Sequence, residues 1–377
     1  MKVLHTISSM GFKSGGTSSS TYELIKGLRE KKVEVDILSF EAEPGDKLVG
    51  KDDFLLTVPQ TKEKRFLYSK EYKTFVEAAD YQLFHTNGLW RYTNYITVKT
   101  AKKKNLPYVI SPHGMLYPTA LQKSALQKRL LMLHSFRRDL QNATCLHATC
   151  KEEMMHIRNL GIKAPVAIIP NSINIGEVKI YDTPKEKFEI GYVGRLAPIK
   201  NPEGLIRAFS KVEQANPNVY LTIIGSGDAE YEASLKEEVK KLGIKNCTFK
   251  GFLHGDELAK EFSKLSILAL PSHSENFGMV VPEALIRGIP VVASTGTPWE
   301  ELNTNDCGWW VSNEINSFSN ALMEAATVSD EKRKQMGENG KRLIESSYSI
   351  DVVSEKMIRL YDWLVNKGPR PDFVFLK

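Results

Sequence analysis

The feature that most constrains the fold is a pattern that occurs twice. A short apolar run from Lys2 to Ile7 opens into Gly11, Gly15 and Gly16 among Ser and Thr residues. A helix follows from about Ser20 to Lys31 with Leu24, Ile25 and Leu28 on one face, and then a second apolar run from Glu34 to Phe40. Strand, glycine loop, helix, strand is how a doubly wound parallel sheet begins. Further strands are expected at Leu83-Phe84-His85, Tyr108-Val109-Ile110, Cys145-Leu146-His147 and Val166 to Ile169. A polar stretch runs from Asn171 to Lys187, after which the pattern restarts with Phe188 to Val193, Gly194 and a helix from about Asn201 to Gln214. Tyr220 to Ile224 ends in Gly225-Ser226-Gly227, and strands are expected at Cys247-Thr248-Phe249, Leu265 to Leu270, Pro290 to Ala293 and Gly308 to Val311. Two successive α/β patterns in 377 residues imply two domains. Their expected limits are residues 1–172, joined by an amphipathic last helix over about 352–366, and residues 173–351. Ligands of such sheets bind beyond the carboxyl ends of the strands, where the winding switches direction, so the chemistry is sought on those loops.

Two loops carry it. The first is Pro271-Ser272-His273-Ser274-Glu275-Asn276-Phe277-Gly278, leading into an expected helix from Met279 to Arg287. On one continuous helix Glu275 and Glu283 would share a face about 12 Å apart, a span that suits a nucleoside diphosphate sugar. Gly278 would let the backbone approach a ligand, and the N–H groups that open the helix would receive phosphate oxygens. The second loop is Gly194-Arg195-Leu196-Ala197-Pro198-Ile199-Lys200-Asn201, which puts two cations after a strand. A leaving diphosphate gains negative charge as a glycosidic bond breaks, and each cation at ~4 Å contributes about 4 kcal/mol before desolvation. The sequence has no Asp-x-Asp to hold magnesium or manganese against a diphosphate, so no metal requirement is expected.

Composition removes other classes. With 42% hydrophobic and 25% charged residues the chain is not disordered. No apolar run approaches the ~18 residues of a membrane span, and Ser8 and Ser9 follow the first strand too soon for a secretory signal, so a cytoplasmic location is expected. Cys145, Cys150, Cys247 and Cys307 form no Cys-x-x-Cys pair and read as reduced, metal-free thiols. Charge is uneven: residues 1–170 hold 26 Lys and Arg against 16 Asp and Glu, and the remainder 25 against 29. A basic first half suits nucleic acid, an acidic membrane surface or a phosphorylated acceptor. No nucleic-acid recognition motif is present, so nucleic acid is set aside. Leu121 to Gln141 places Lys123, Lys128, Arg129, Arg137 and Arg138 around Leu126, Leu130, Leu133, Phe136 and Leu140. Such a helix either rests on an anionic membrane or is a solvated domain face.

In order and spacing, Gly15-Gly16-Thr17, Pro112-His113-Gly114-Met115-Leu116, Ile169-Pro170-Asn171-Ser172-Ile173, Gly194-Arg195 with Lys200, Gly225-Ser226-Gly227 and Glu275-x7-Glu283 resemble the retaining glycosyltransferases of family four, which have the GT-B fold. Thr297-Pro298-Trp299-Glu300-Glu301-Leu302 and Cys307-Gly308-Trp309-Trp310 look like the subset that builds bacterial surface polysaccharides. The resemblance implies two Rossmann-like doubly wound domains facing across a cleft, the last helix crossing back to the first, with the acceptor on the first domain and the donor on the second. It implies retaining, metal-independent transfer of a hexose-type sugar from a UDP- or GDP-linked donor, with no other cofactor, to a glycan or lipid-linked acceptor. The setting would be capsule, lipopolysaccharide or exopolysaccharide synthesis, in the cytoplasm or peripherally at the cytoplasmic face of the inner membrane.

Carried over by position, Arg195 and Lys200 would hold the donor diphosphate, and Glu283 would accept hydrogen bonds from the ribose hydroxyls. Glu275 would contact sugar hydroxyls, with Asn276, Phe277, Gly278 and Met279 offering backbone N–H groups. His113 would lie by the reacting sugar, Gly15 and Gly16 would pass close to phosphates or acceptor, and Phe252, Leu253 and His254 would flank the base. No residue stands out as a nucleophile. Gly296-Thr297-Pro298-Trp299-Glu300 departs from the family's usual glycine turn near the sugar, and Ser172 replaces a commoner glycine. The plain alternatives are surface charge for Arg195 and Lys200, a solvated helix face for Glu283, turn chemistry for Gly225 and Gly227, and packing for Trp309 and Trp310. A sugar-nucleotide 2-epimerase shares the implied architecture and is the functional alternative. A nicotinamide oxidoreductase would need Gly-x-Gly-x-x-Gly after the first strand, a spacing that Gly11 to Gly16 does not supply.

Overall fold

A computed structural model describes residues 1–63, 66–181, 183 and 186–376. The chain divides into two compact units, Met1–Ile173 with Ile350–Lys377, and Asn174–Ser349. The expected polar connection over 171–187 includes Asp182, Pro184 and Lys185, which lie outside the described residues.

In the first unit, β1 (Lys2–Ser9), β2 (Glu34–Phe40), β3 (Leu55–Val58), β4 (Leu83–Asn87), β5 (Tyr108–Ser111), β6 (Cys145–Ala148) and β7 (Val166–Ile168) form a parallel sheet ordered β7-β6-β5-β4-β1-β2-β3. The short strand Val374–Phe375 adds antiparallel beside β7. Winding reverses between β1 and β4, whose register sets His5 opposite His85. β4, β5 and β6 are buried along their whole length, as expected for strands covered on both faces. The helix Gly16–Glu30 packs against the last helix, Ile350–Asn366, through Ile25 and Leu28 with Val353, Met357 and Leu360. Gly27 permits that approach, because a Cβ there would lie 2.3 Å from Ser354 Oγ.

The second unit repeats the plan. β8 (Phe188–Val193), β9 (Val219–Ile224), β10 (Cys247–Gly251), β11 (Ile267–Leu270), β12 (Val291–Ser294) and β13 (Gly308–Val311) are all parallel, ordered β10-β9-β8-β11-β12-β13. Its winding reverses between β8 and β11. Phe209, Leu221, Ile223, Ile267, Phe318 and Leu322 fill its core.

Several elements differ from expectation. The first helix begins at Gly16, about four residues early, because Gly15 at φ 82° turns the chain directly into it. β3 adds to the expected strands: it lies at the sheet edge and only Val58 of it is buried, so it lacks the continuous burial of the inner strands. Glu275 and Glu283 do not share a helix: Glu275 is in a loop and the helix is only Val280–Leu285. Gly278 sits at φ 81°, outside helical space, and Glu275 N–H donates to the Gly296 carbonyl at 2.9 Å instead of starting a helical turn. The basic segment is not one helix either. Pro118–Gln122 ends before Ser124, which takes φ 54°, and the chain resumes as Ala125–Leu131, a π-helical turn Met132–Phe136, and Arg137–Gln141. Among the described residues no helix is long and apolar enough to cross a membrane.

Candidate functional site

Topology explains why Lys200 and Glu275, 75 residues apart, meet. β8 and β11 are neighbours at the reversal of the second sheet, and their following loops leave its carboxyl end side by side. The β8 loop closes in a 3-10 turn, Pro198–Lys200, and His273 N–H donates to the Ile199 carbonyl at 2.9 Å, tying the two loops together. Lys200 Nζ pairs with Glu275 Oε1, which also accepts from Ser272 Oγ at 3.1 Å. Arg195, on the same loop, is solvent-exposed and forms no ion pair among the described residues. The β9 loop lies flush against the β8 loop. A Cβ on Gly225 would lie 1.8 Å from the Gly194 carbonyl oxygen, and one on Gly227 would lie 2.0 Å from that of Leu196. Those two glycines therefore shape the cation loop rather than merely ending a strand.

Glu283 is half-buried on its short helix, and its carboxyl group has no hydrogen-bond partner among the described residues. Burial raises its pKa to about 7, opposed by the charge of Arg287. The backbone N–H groups of Phe277, Gly278 and Met279 make no hydrogen bond among the described residues. Phe277 itself is a packing residue: its ring meets Trp299 and Tyr348 at 5.2 and 5.8 Å, and its carbonyl accepts from Trp299 Nε1 at 2.5 Å. Trp299 is fully buried, which gives the departing segment 296–300 a structural role. Trp310 donates from Nε1 to the Thr297 carbonyl at 2.9 Å and braces the same segment. Phe252 is 59% exposed and stacks on His254 at 18°, with Leu253 half-buried between them. They follow the edge strand β10, two strands from β8, and share no hydrogen bond with Lys200 or Glu275.

The remaining candidates belong to the first unit. Gly15 and Gly16 follow β1, and a Cβ on either would meet nothing within 4 Å, so the space before them is open. His113 follows β5 at φ 51°, and Gly114 at φ 76°. A left-handed residue with a Cβ costs about 1–2 kcal/mol, a strain that the surrounding contacts must offset. Glu153 does much of this. It is fully buried, and its carboxylate accepts from Gly114 N–H at 2.5 Å, Thr149 N–H at 2.8 Å and Thr149 Oγ1 at 3.1 Å. Glu153 is not among the residues expected from sequence. Its signal was position, the third residue of the helix Lys151–Asn159, from which an acidic side chain reaches back past the cap.

Behind His113 runs a chain of buried polar groups. His113 Nε2 meets Asn87 Oδ1 at 3.0 Å, Asn87 Nδ2 meets His5 Nδ1 at 3.3 Å, and His5 Nε2 meets Tyr361 Oη at 2.7 Å. The same Oη meets His85 Nδ1 at 2.7 Å, and His85 Nε2 meets Ser111 Oγ at 2.6 Å. Ser111 Oγ meets His147 Nδ1 at 2.7 Å, and His147 Nε2 meets the Ile169 carbonyl at 2.8 Å. Burial, with the neighbouring imidazoles adding, lowers His5 and His113 to about 3 and His85 well below its ordinary value. Burial lowers His147 to about 4, so all four rings are neutral near pH 7. In sequence, His5, His85 and His147 carry no signal beyond their places on expected strands.

Among the described residues no cluster of three or more His, Cys, Asp or Glu is placed to hold a metal ion. Three surface concavities, beside Phe188 and Arg333, beside Asp306 and Arg342, and beside Tyr95 and Asp139, include none of the candidate donor-site residues, although Arg138 of the basic segment lines the third. The candidate site is defined by topology and chemistry.

Residues 177–343 match the family model described as glycosyl transferases group 1, and residues 15–172 match the one described as glycosyl transferase 4-like domain. The chain is 32% identical over 228 residues to the uncharacterized glycosyltransferase MJ1607 of Methanocaldococcus jannaschii, covering 56% of this chain and 57% of that protein. It is 26% identical over 193 residues to the capsular polysaccharide biosynthesis glycosyltransferase CapM of Staphylococcus aureus, covering 51% and 50%. The match thus spans about half the length of these relatives. Among solved structures, Anabaena Alr3699/HepE in complex with UDP and glucose aligns with a TM-score of 0.75 at 18% identity, covering 97% of this chain and 100% of that one. At that identity the likeness establishes a shared fold of two parallel-sheet α/β domains.

Proposed function

Since this chain belongs to the group 1 glycosyl transferases, we propose that it transfers a hexose-type sugar from a UDP- or GDP-linked donor to a glycan or lipid-linked acceptor, with retention and without a metal. The product would enter capsule, lipopolysaccharide or exopolysaccharide. Supporting this, CapM is named for capsular polysaccharide biosynthesis, and the Alr3699/HepE structure holds UDP and glucose. The epimerase alternative finds no support in these likenesses. The observation that carries the assignment is the meeting of Lys200 with Glu275 at the reversal of the second sheet, with Arg195 open on the same loop.

In the proposed reaction the acceptor oxygen bonds to the anomeric carbon on the face from which the diphosphate departs. The bond from that carbon to the diphosphate oxygen breaks, and the acceptor proton passes to the departing oxygen. Arg195 and Lys200 take up the charge that develops there. Glu275 orients the sugar through its hydroxyls, Glu283 receives the ribose hydroxyls, and His113 lies by the reacting carbon. Peripheral membrane contact belongs to the same proposal. Leu126, Leu130 and Leu133 are 74%, 60% and 75% exposed, on a segment that also carries Lys128, Arg129, Arg137 and Arg138.

The test is a thermal-shift screen of UDP- and GDP-sugars, followed by mass spectrometry of each stabilising donor with and without glycan acceptors, and NMR of the product's anomeric proton. Stabilisation by a nucleotide sugar and an acceptor-dependent product with retained configuration are expected. A changed nucleotide sugar formed without acceptor would replace transfer with epimerisation.

A further inference from the structure

The polar chain behind His113 has a sense that can be worked out link by link. Its far end is the Ile169 carbonyl, which only accepts, so His147 Nε2 carries the proton at that 2.8 Å contact. His147 is neutral, so its Nδ1 is a lone pair and Ser111 Oγ donates to it at 2.7 Å. The Ser111 oxygen has spent its one proton and accepts from His85 Nε2–H at 2.6 Å. His85 Nδ1 is then a lone pair, and Tyr361 Oη donates to it at 2.7 Å. The Tyr361 oxygen accepts from His5 Nε2–H at 2.7 Å, which leaves His5 Nδ1 to accept from the Asn87 amide at 3.3 Å. The amide must then present its oxygen to His113, whose Nε2 donates at 3.0 Å. All seven links run one way, and the last fixes the proton of the ring that the first made no contact with.

We infer that Tyr361, on the C-terminal helix, is a positioning residue that acts through His5 and Asn87 to hold His113 in one neutral tautomer, Nε2 protonated and Nδ1 a lone pair. No described residue bonds His113 Nδ1, so that lone pair is the atom offered to a ligand hydroxyl. What the ligand is rests on the proposed transfer; the tautomer itself does not. Among the described residues, Tyr361 joins the half anchored at Ile169 to the half that ends at His113. Without its oxygen, His5 Nε2–H is a buried donor with no acceptor, a costly state. His5 escapes by moving its proton to Nδ1. Asn87 must then turn its amide over to present oxygen to His5 and nitrogen to His113, and the His113 proton moves to Nδ1. Among the described residues the Thr6 carbonyl, 3.4 Å from Asn87 Nδ2, is what resists that turn, and at that distance it resists weakly.

The experiment is two-dimensional NMR of the full chain with 15N-labelled histidine near pH 7, each ring assigned by single-histidine substitution, in wild type and Tyr361→Phe. The wild type is expected to show His113 with Nε2 protonated and Nδ1 unprotonated. A charged His113, an Nδ1-protonated ring or an even mixture would overturn the inference. In Tyr361→Phe, His113 is expected to become a mixture or to invert, while His147 keeps its proton on Nε2, held by Ile169. A His113 that stays wholly Nε2-protonated in the variant would also overturn it. If Tyr361→Phe does not fold, His5→Phe cuts the chain one link nearer and carries the same two outcomes. Where transfer activity is found, Tyr361→Phe is expected to lower kcat about tenfold at unchanged donor KM. Absence of activity with a wild-type spectrum of the expected kind would refute the transferase proposal and leave the tautomer assignment standing.

Discussion

Glu283→Gln gives the clearest separation of stability from function. Burial raises the Glu283 carboxyl from 4.5 to about 7. Between those values the folded state holds a proton that the unfolded chain has lost, so stability falls as pH rises through that window. At about 1.4 kcal/mol per pKa unit, the penalty grows to about 3 kcal/mol above pH 7 and vanishes below 4.5. Glutamine is never charged and escapes it. The half-buried Arg287 loses a favourable partner in the variant, so about 3 kcal/mol is a ceiling on the gain. The measurement is thermal denaturation of both proteins at pH 5 and pH 8, with and without UDP or GDP. Glu283→Gln is expected to melt several degrees above wild type at pH 8 and close to it at pH 5. The nucleotide that stabilises wild type should stabilise the variant less, its dissociation constant rising about ten- to a hundredfold, because hydrogen bonds to a charged acceptor are worth about 1.5–3 kcal/mol. A variant that melts lower at pH 8, or that binds nucleotide as well as wild type, would refute the argument.

Lys200→Ala leaves the Glu275 carboxylate, with its side chain only 10% exposed, paired to Ser272 alone; a loss of about 1–3 kcal/mol by thermal denaturation is expected, partly recovered by adding Glu275→Gln. Arg195→Ala breaks no ion pair among the described residues, so its melting temperature should stay within the change that ~0.5 kcal/mol brings while kcat falls about a hundredfold; unchanged turnover would remove Arg195 from diphosphate stabilisation. Replacing Lys123, Lys128, Arg129, Arg137 and Arg138 by glutamine should abolish sedimentation with phosphatidylglycerol vesicles, and retained sedimentation would dismiss the membrane contact. Turnover should persist in EDTA, and its loss, restored by magnesium or manganese, would overturn metal independence.

The fold was legible because both halves write it the same way. Apolar runs without alternation, such as Leu268 to Leu270 and Val291 to Ala293, are too short for helices and read as strands buried on both faces, and the glycines between run and helix mark the turns. The Arg195 and Glu275 loops were legible by residue type and by following a strand. Local geometry was less so. The expectation that Glu275 and Glu283 ride one helix failed because spacing records only separation, and whether Gly278 continues a helix or breaks it depends on a φ of 81° that glycine permits but does not require. The single basic helix failed similarly at Ser124.

By itself the sequence determined what each segment could become: which runs are buried, which loops carry cations and carboxylates, and that the winding starts twice. Those properties are local, set by side-chain type and period over a few residues. Only the tertiary structure decided which of them meet. Lys200 reaches Glu275 because the sheet reverses between β8 and β11, and His113 is tied to Tyr361 because the last helix packs back onto β1 and β4. Strand order and helix docking are settled by burial summed over the whole core, so no stretch of sequence around His5, His85 or Tyr361 announces that three distant residues will share one hydrogen-bond chain.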